Sequence, residues 1–206
     1  MSLIIQSVSC GDIQENAYIA SMQGREDCVV VDPGDGYEAL KRALCGKKLA
    51  AILLTHGHFD HILAASRLAA DFGAPTYIHE GDLDMLNDPA RNGLDFMMGV
   101  PELPHPAIMA TPFGRTLTAA GIDFEVLHTP GHSRGSACLY VPSEAALFSG
   151  DTLFMAGFGR MDLYGGSPMQ MRESLKKLFG LPPETRVYPG HGPETTIGAE
   201  TRRYRL

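Results

Sequence analysis

The chain has 206 residues, 44% of them hydrophobic and 20% charged, a length that supports one sizeable core and predicts a single domain over residues 1–206. A net charge of −7, from 24 Asp and Glu against 17 Lys and Arg, argues against a nucleic-acid partner, whose phosphates need cationic side chains. No apolar run reaches the roughly 20 residues that span a bilayer, and no basic segment leads into an apolar stretch at the N-terminus, so no membrane partner and a cytoplasmic location are expected.

Three β-rich runs come first, at 3–8, 17–22 and 28–31, and the turn Asp32-Pro33-Gly34-Asp35-Gly36 ends them. A helix is predicted from Tyr37 to Cys45, with Asp35 and Glu38 as a capping pair and Gly46 as its stop. Residues 49–54 are almost continuously apolar, the pattern of a strand buried on both faces. A second helix is predicted from His61 to Phe72, halted by Gly73 and Pro75. A short strand at 76–79 and a helical turn or two at 81–86 follow. The stretch 92–112 holds four prolines and reads as a long ordered loop. Strands return at 122–127, 136–141 and 146–148. Ser167-Pro168-Met169-Gln170 is a strong helix start, with an N-cap, proline at N1 and Gln at N3, and that helix runs to Gly180. A last strand is predicted at 186–188. Strands and helices alternate without a dinucleotide-binding or phosphate-loop glycine motif. The four cysteines (Cys10, Cys28, Cys45, Cys138) lie far apart and read as buried, reduced thiols.

The chemistry concentrates in Thr55-His56-Gly57-His58-Phe59-Asp60-His61, which follows the buried strand directly and leads into a helix. Imidazoles and a carboxylate suit zinc or another borderline divalent metal. In extended backbone His56 and His58 turn to one side, while Asp60 and His61 fall where the chain enters the helix and can face a second point. Ligands in α/β folds gather at the carboxyl ends of strands, which is where this loop sits. Three further candidates each follow a glycine in a strand-end turn: His132 after Gly131, Asp151 after Gly150 and His191 after Gly190. Together these residues supply seven ligands, the number suited to two ions sharing one carboxylate. Asp32 reads equally well as a turn residue or as an acceptor that orients a metal-binding imidazole. His128, four residues before His132, reads as a core or strand-end histidine ahead of a partner that orients a metal-binding imidazole, with His79 and His105 carrying no signal.

On these motifs the sequence resembles the metallo-β-lactamase-fold hydrolases, and among them the short glyoxalase II-like (hydroxyacylglutathione hydrolase-like) proteins. The resemblance runs from the Asp32-Pro33-Gly34 turn to His191-Gly192-Pro193. It implies an α/β (α+β) four-layer αββα sandwich with metals at one edge. It further implies that His56, His58 and His132 hold one metal, that Asp60, His61 and His191 hold the other, and that Asp151 bridges them. Zinc is the first choice, with iron or manganese possible. A water between two such ions would attack a polarised carbonyl, oriented by Asp60 as the catalytic residue, and the implied substrate is a small thioester such as an acyl-glutathione.

The sequence departs from full-length glyoxalase II in its glutathione contacts. The extra C-terminal helical domain is not included, Arg160-Met161-Asp162 replaces the Lys-x-Tyr contact, and Gly192-Pro193 replaces a tyrosine after the last histidine. Arg160 keeps a positive charge for a substrate carboxylate, balanced against a salt bridge to Asp162, and thiol recognition is expected to be loose. Arg202, Arg203 and Arg205 read as a solvated basic end. The Gly-Arg-x-Asp element also resembles persulfide dioxygenases, which would use a single iron held by His56 or His58, His132 and Asp151. Lactone hydrolysis and metal binding without catalysis are the remaining readings.

Overall fold

The apolar runs of the sequence pair into two sheets, seen in a computed structural model that describes residues 2–96 and 107–204. The first half supplies β1 (Leu3–Cys10), β2 (Glu15–Met22), β3 (Asp27–Val31), α1 (Tyr37–Ala43), β4 (Lys48–Leu53), α2 (Phe59–Ile62), α3 (Ala65–Phe72), β5 (Thr76–Ile78), α4 (Pro89–Asn92) and β6 (Thr111–Pro112). Its strands lie in sequence order, antiparallel from β1 to β3 and parallel from β3 to β6. The second half supplies β7 (Thr116–Ala119), β8 (Ile122–His128), β9 (Ala137–Val141), β10 (Ala146–Gly150), α5 (Pro168–Leu178), β11 (Arg186–Pro189), β12 (Thr195–Thr196) and α6 (Ile197–Arg203). These strands are ordered β12-β11-β10-β9-β8-β7, and only β10 and β11 run parallel.

The period-2 geometry of a strand sends alternate residues of β3 and β4 to opposite faces, and both faces are buried. Val29, Val31, Ala51 and Leu53 point inward and meet Phe124, Leu139, Val141 and Phe148 of the second sheet. Val30 and Ile52 point outward, under Leu40 and Leu44 near α1 and Leu68 of α3. On the far side, Met171, Leu175 and Leu178 of α5 and Ile197 of α6 cover Leu147 and Val187. The result is the metallo-β-lactamase-fold αββα sandwich that the resemblance implied. Among the described residues no helix is long and apolar enough to cross a membrane.

Several predicted elements change at their ends. The helix at 37–45 stops at Ala43, and its N-cap is Gly36 without any side-chain cap, so Asp35 and Glu38 form no capping pair. A Cβ at Gly36 would collide with Cys10 Sγ, which makes this a point of close chain approach. The helix predicted from His61 to Phe72 is two helices, broken at Leu63 and Ala64. Pro33 O takes the Ala64 N–H at 3.0 Å, and Gly34 packs against the Asp60 carbonyl, so the Asp32-Pro33-Gly34 turn wedges into the helical ladder. The expected helical stretch at 81–86 is only a 3-10 turn over Glu80–Asp82. The expected loop at 92–112 contains a further 3-10 turn at Leu94–Phe96 and ends in β6; its residues 97–106 lie outside the described residues, as does His105. Ser167 caps α5 as predicted, accepting from Gln170 N. The strand predicted to be last is followed by β12 and α6, which carries Arg202 and Arg203; Arg205 lies outside the described residues.

Three cysteines are buried as expected, but Cys45, just beyond α1, is exposed. Burial, and next Glu15, push the Cys10 thiol up to about 12, and burial raises Cys28 and Cys138 to about 11. A disulfide-exchange reagent should therefore label one thiol, Cys45, in the native protein and all four after denaturation. Any fast-reacting thiol in the Cys45→Ser variant would contradict this burial pattern.

Candidate metal centre

Strand ends from both sheets bring the sequence-predicted ligands together. Beyond β4 the chain stays buried through Thr55, His56, Gly57 and His58, then turns into α2, which carries Asp60 and His61. His132 sits in the turn between β8 and β9, Asp151 directly follows β10, and His191 lies just past β11. Backbone bonds join these ends: Ala137 N donates to Thr55 O at 2.8 Å, and Gly190 N donates to Gly150 O at 2.9 Å. Two glycines permit the approach. A Cβ on Gly150 would strike Thr55 Oγ1, and one on Gly190 would strike Asp151 and His61.

The ligand atoms converge in two groups. His132 Nε2 lies 2.7 Å from His58 Nδ1 and 3.2 Å from His56 Nε2. His191 Nε2 lies 3.1 Å from Asp60 Oδ2, and His61 Nε2 lies 3.5 Å from the same oxygen. Asp151 stands between the groups, with Oδ1 3.4 Å from His61 Nε2 and Oδ2 3.5 Å from His132 Nε2. His56, His58 and His132, and separately Asp60, His61 and His191, could each hold an ion. All seven predicted residues thus meet in space.

The outward ring nitrogens explain why the inward ones face each other, with tautomers assigned from their partners. His132 Nδ1 lies 2.7 Å from the Arg160 carbonyl and must donate to it. His61 Nδ1 lies 3.0 Å from Asp32 Oδ2 and donates likewise. Thr55 Oγ1 gives its only proton to Asp32 Oδ2 at 2.6 Å, so it accepts from His56 Nδ1 at 3.0 Å. His56 and His132 then present a lone pair at Nε2, and His61 presents one once a cation displaces the proton from that nitrogen. Lone pairs on His56 and His132 at 3.2 Å repel unless a cation lies between them.

Charge points the same way. Asp60, Asp151, Asp32 and the fully buried Glu15 surround His61, and Glu15 has no hydrogen-bond partner for either oxygen. Burial pulls His61 down, but Asp60 and Asp151 outweigh it and raise its pKa well above the ordinary value. A proton there stands where a cation would relieve the same field. Burial, then His61 and its neighbours, hold His56 well below the usual range; burial and then His132 lower His58 to about 3. These remain neutral donors. His58 Nε2, His61 Nε2 and Asp151 Oδ1 are buried without partners. Such a donor set fits divalent metal ions.

Asp32 is the acceptor rather than a mere turn residue. It holds Thr55 N at 2.7 Å and Thr55 Oγ1 as well as His61, from a left-handed backbone at φ 47°. His128 is the strand-end histidine expected, donating from Nε2 to Arg134 O and stacked on His79. Two residues escaped the sequence reading. Buried Asp82 accepts from Gly57 N, Ser133 Oγ and Gly135 N, pinning the His56–His58 loop to the His132 turn. Glu15 is the other, and neither sits in a motif that would have singled it out.

The metallo-β-lactamase superfamily model matches residues 10–191. The chain belongs to that superfamily. Its relatives include the probable metallo-hydrolase YqgX of Bacillus subtilis, 37% identical over 92% of this chain and 90% of that protein. Hydroxyacylglutathione hydrolase of Aeromonas hydrophila is 37% identical over 84% of this chain, but this covers only 60% of that protein. Two solved structures, each 41% identical and covering 97% of this chain, superimpose closely: the BLEG-1 B3 metallo-β-lactamase (97% of that chain, TM-score 0.90) and TTHA1623 in a di-iron-bound form (98%, TM-score 0.85).

Asp82→Ala would strand two backbone donors of this superfamily member's site loops, Gly57 N and Gly135 N, each worth about 1–3 kcal/mol when left unpaired, while Ser133 Oγ keeps Ser136 Oγ as a partner. Urea unfolding of the metal-free protein should show a loss of about 2 kcal/mol or more, with Asp82→Asn intermediate. A loss below about 1 kcal/mol would mean that the two loops are held by other contacts.

Proposed function

We propose that this protein is a metal-dependent hydrolase of the glyoxalase II-like type that cleaves a small thioester at a centre of two divalent ions. The observation that carries the reading is the position of Asp151 between the two groups, with Oδ1 3.4 Å from His61 Nε2 and Oδ2 3.5 Å from His132 Nε2 and 3.8 Å from His191 Nε2. The di-iron form of the TTHA1623 neighbour supports a paired centre, while zinc remains our first choice for this chain. Divalent ions held by these residues would supply an acidified water and polarisation of the substrate carbonyl.

The chain's own residues supply orientation and proton handling. Asp60 is turned into the site and accepts from His191; burial opposes its charge, but His61 and that hydrogen bond keep its pKa below the ordinary carboxylate value. It is therefore an ionised acceptor able to orient the attacking water. Asp32, Thr55 and the Arg160 carbonyl keep the imidazoles in their ligating tautomers. The Arg160 guanidinium is engaged by Asp162 and would have to leave it to meet a substrate carboxylate. The name of the BLEG-1 neighbour favours β-lactam opening as a second reading, since the same attack serves a strained amide.

Elemental analysis should find two ions per chain, and His191→Ala should deplete one of them; a single ion at full occupancy despite added zinc would remove the paired centre. Asp32→Ala should weaken metal affinity roughly 10–100-fold by freeing the His61 ring.

Asp60→Asn should lower kcat on the order of a hundredfold or more, with a much smaller change in KM. Thioester, β-lactam, lactone and oxygen-uptake assays belong on one metal-loaded sample. Oxygen consumption with glutathione persulfide and no thioester cleavage would replace the hydrolase with a dioxygenase.

A further inference from the structure

The ligand cluster opens into a cavity of about 370 Å³, at the small end for small-molecule sites. Its walls beyond the ligands are chiefly Ile13, Phe59, Phe96, Phe154 and Leu163. They come from separate parts of the chain: the turn before β2, the start of α2, the 3-10 turn after α4 and the loops following β10. Phe96 is 73% exposed and Ile13 42%, so apolar surface stays open to water at the mouth.

Charge is nearly absent from these walls. Among the described residues bordering the cavity, Arg160 is the only Lys or Arg, and its guanidinium makes two 2.7 Å bonds to Asp162. Asn92 is neutral; its Oδ1 accepts from Leu94 N, and its Nδ2 is buried without a partner. A carboxylate or phosphate on the thiol carrier would therefore lose water against apolar walls without a free Lys or Arg in return among the described lining residues, a costly exchange.

Resting on the hydrolase reading above, we infer that the substrate class is a neutral thioester with an aliphatic acyl group on an uncharged thiol, rather than an anionic glutathione or nucleotide-linked ester. Water adds at the carbonyl carbon, and the C–S bond breaks with its electron pair leaving on sulfur. The acid takes the water oxygen, and one proton from water ends on the thiol or in solvent. Specificity comes from methylene groups against Phe59, Phe96, Phe154 and Leu163, with no ion pair required.

The test uses the metal-loaded protein with acetyl, butyryl and hexanoyl groups on N-acetylcysteamine and on glutathione. The expected result is a rise in kcat/KM of roughly two- to fourfold per methylene, with the neutral carrier preferred about tenfold or more and no change of carrier preference in Arg160→Ala. Phe154→Ala should flatten the chain-length slope. In parallel, calorimetry measures binding of ketone analogues in which CH₂ replaces the thioester sulfur, and their affinity should climb along the same series. A flat series in both measurements, or a glutathione preference that Arg160→Ala abolishes, overturns the inference. Climbing ketone affinity with no thioester turnover would sink the thioesterase reading and leave the neutral, apolar ligand class standing. Thioester turnover that ignores chain length and favours the anionic carrier would do the opposite.

Discussion

The strand ends that meet at the site answer to one electrostatic constraint: lone pairs and carboxylates are packed together out of water. Asp60, Asp151, Asp32 and Glu15 surround His61, while His56, His58 and His132 turn nitrogens toward one another nearby. Such groups repel, and burial strengthens the repulsion because little solvent screens it. Their arrangement persists because each ring with a defined outer bond is anchored from behind. Asp32 serves twice, through Thr55 to His56 and directly to His61. One carboxylate in a left-handed turn thereby orients one ligand from each group.

The fold supplies anchors that a single loop could not. Parallel strands β3 and β4 place the Asp32 turn beside Thr55, and Asp82 binds the loops bearing His58 and His132. Asn16 and Tyr18 reach from β2 to the Pro189 carbonyl and so hold the approach to His191. The Asn16, Tyr18 and Asp82 bonds to residues of the second half cross between sheets that pack through Leu53, Phe124 and Phe148. Apolar packing therefore sets ligand positions indirectly, by fixing which strand ends share an edge. The cavity above them is bounded by loops rather than strands, so its chemistry is less tightly tied to the shared fold.

Much of the fold was legible because its long apolar runs carry their own period. β4 read as a doubly buried strand, and α5 announced itself through Ser167 and Pro168. Elements with weak local signals were lost. β7 is a four-residue edge strand, and α6 begins Ile-Gly-Ala before charged residues, so its stability rests on Ile197 in the core and on buried Glu200, which accepts from Thr195 and Ala156. The break between α2 and α3 was equally invisible, since Pro33, which takes the Ala64 amide, lies far back in the chain.

The sequence by itself determined the family and singled out the candidate metal-binding residues, because His56 to His61 form one local motif and the later candidates sit in recognisable glycine turns. Asp32 stayed ambiguous there, and Asp82 and Glu15 stayed hidden, because an acidic residue outside a motif usually faces solvent. Tertiary structure alone decided that these three are buried against the site, that Arg160 is tied to Asp162, and that the mouth is apolar. The physical reason is range. Spacing along a chain reports what one loop can present, whereas burial, tautomer and cavity polarity depend on side chains that meet only when two sheets close over them.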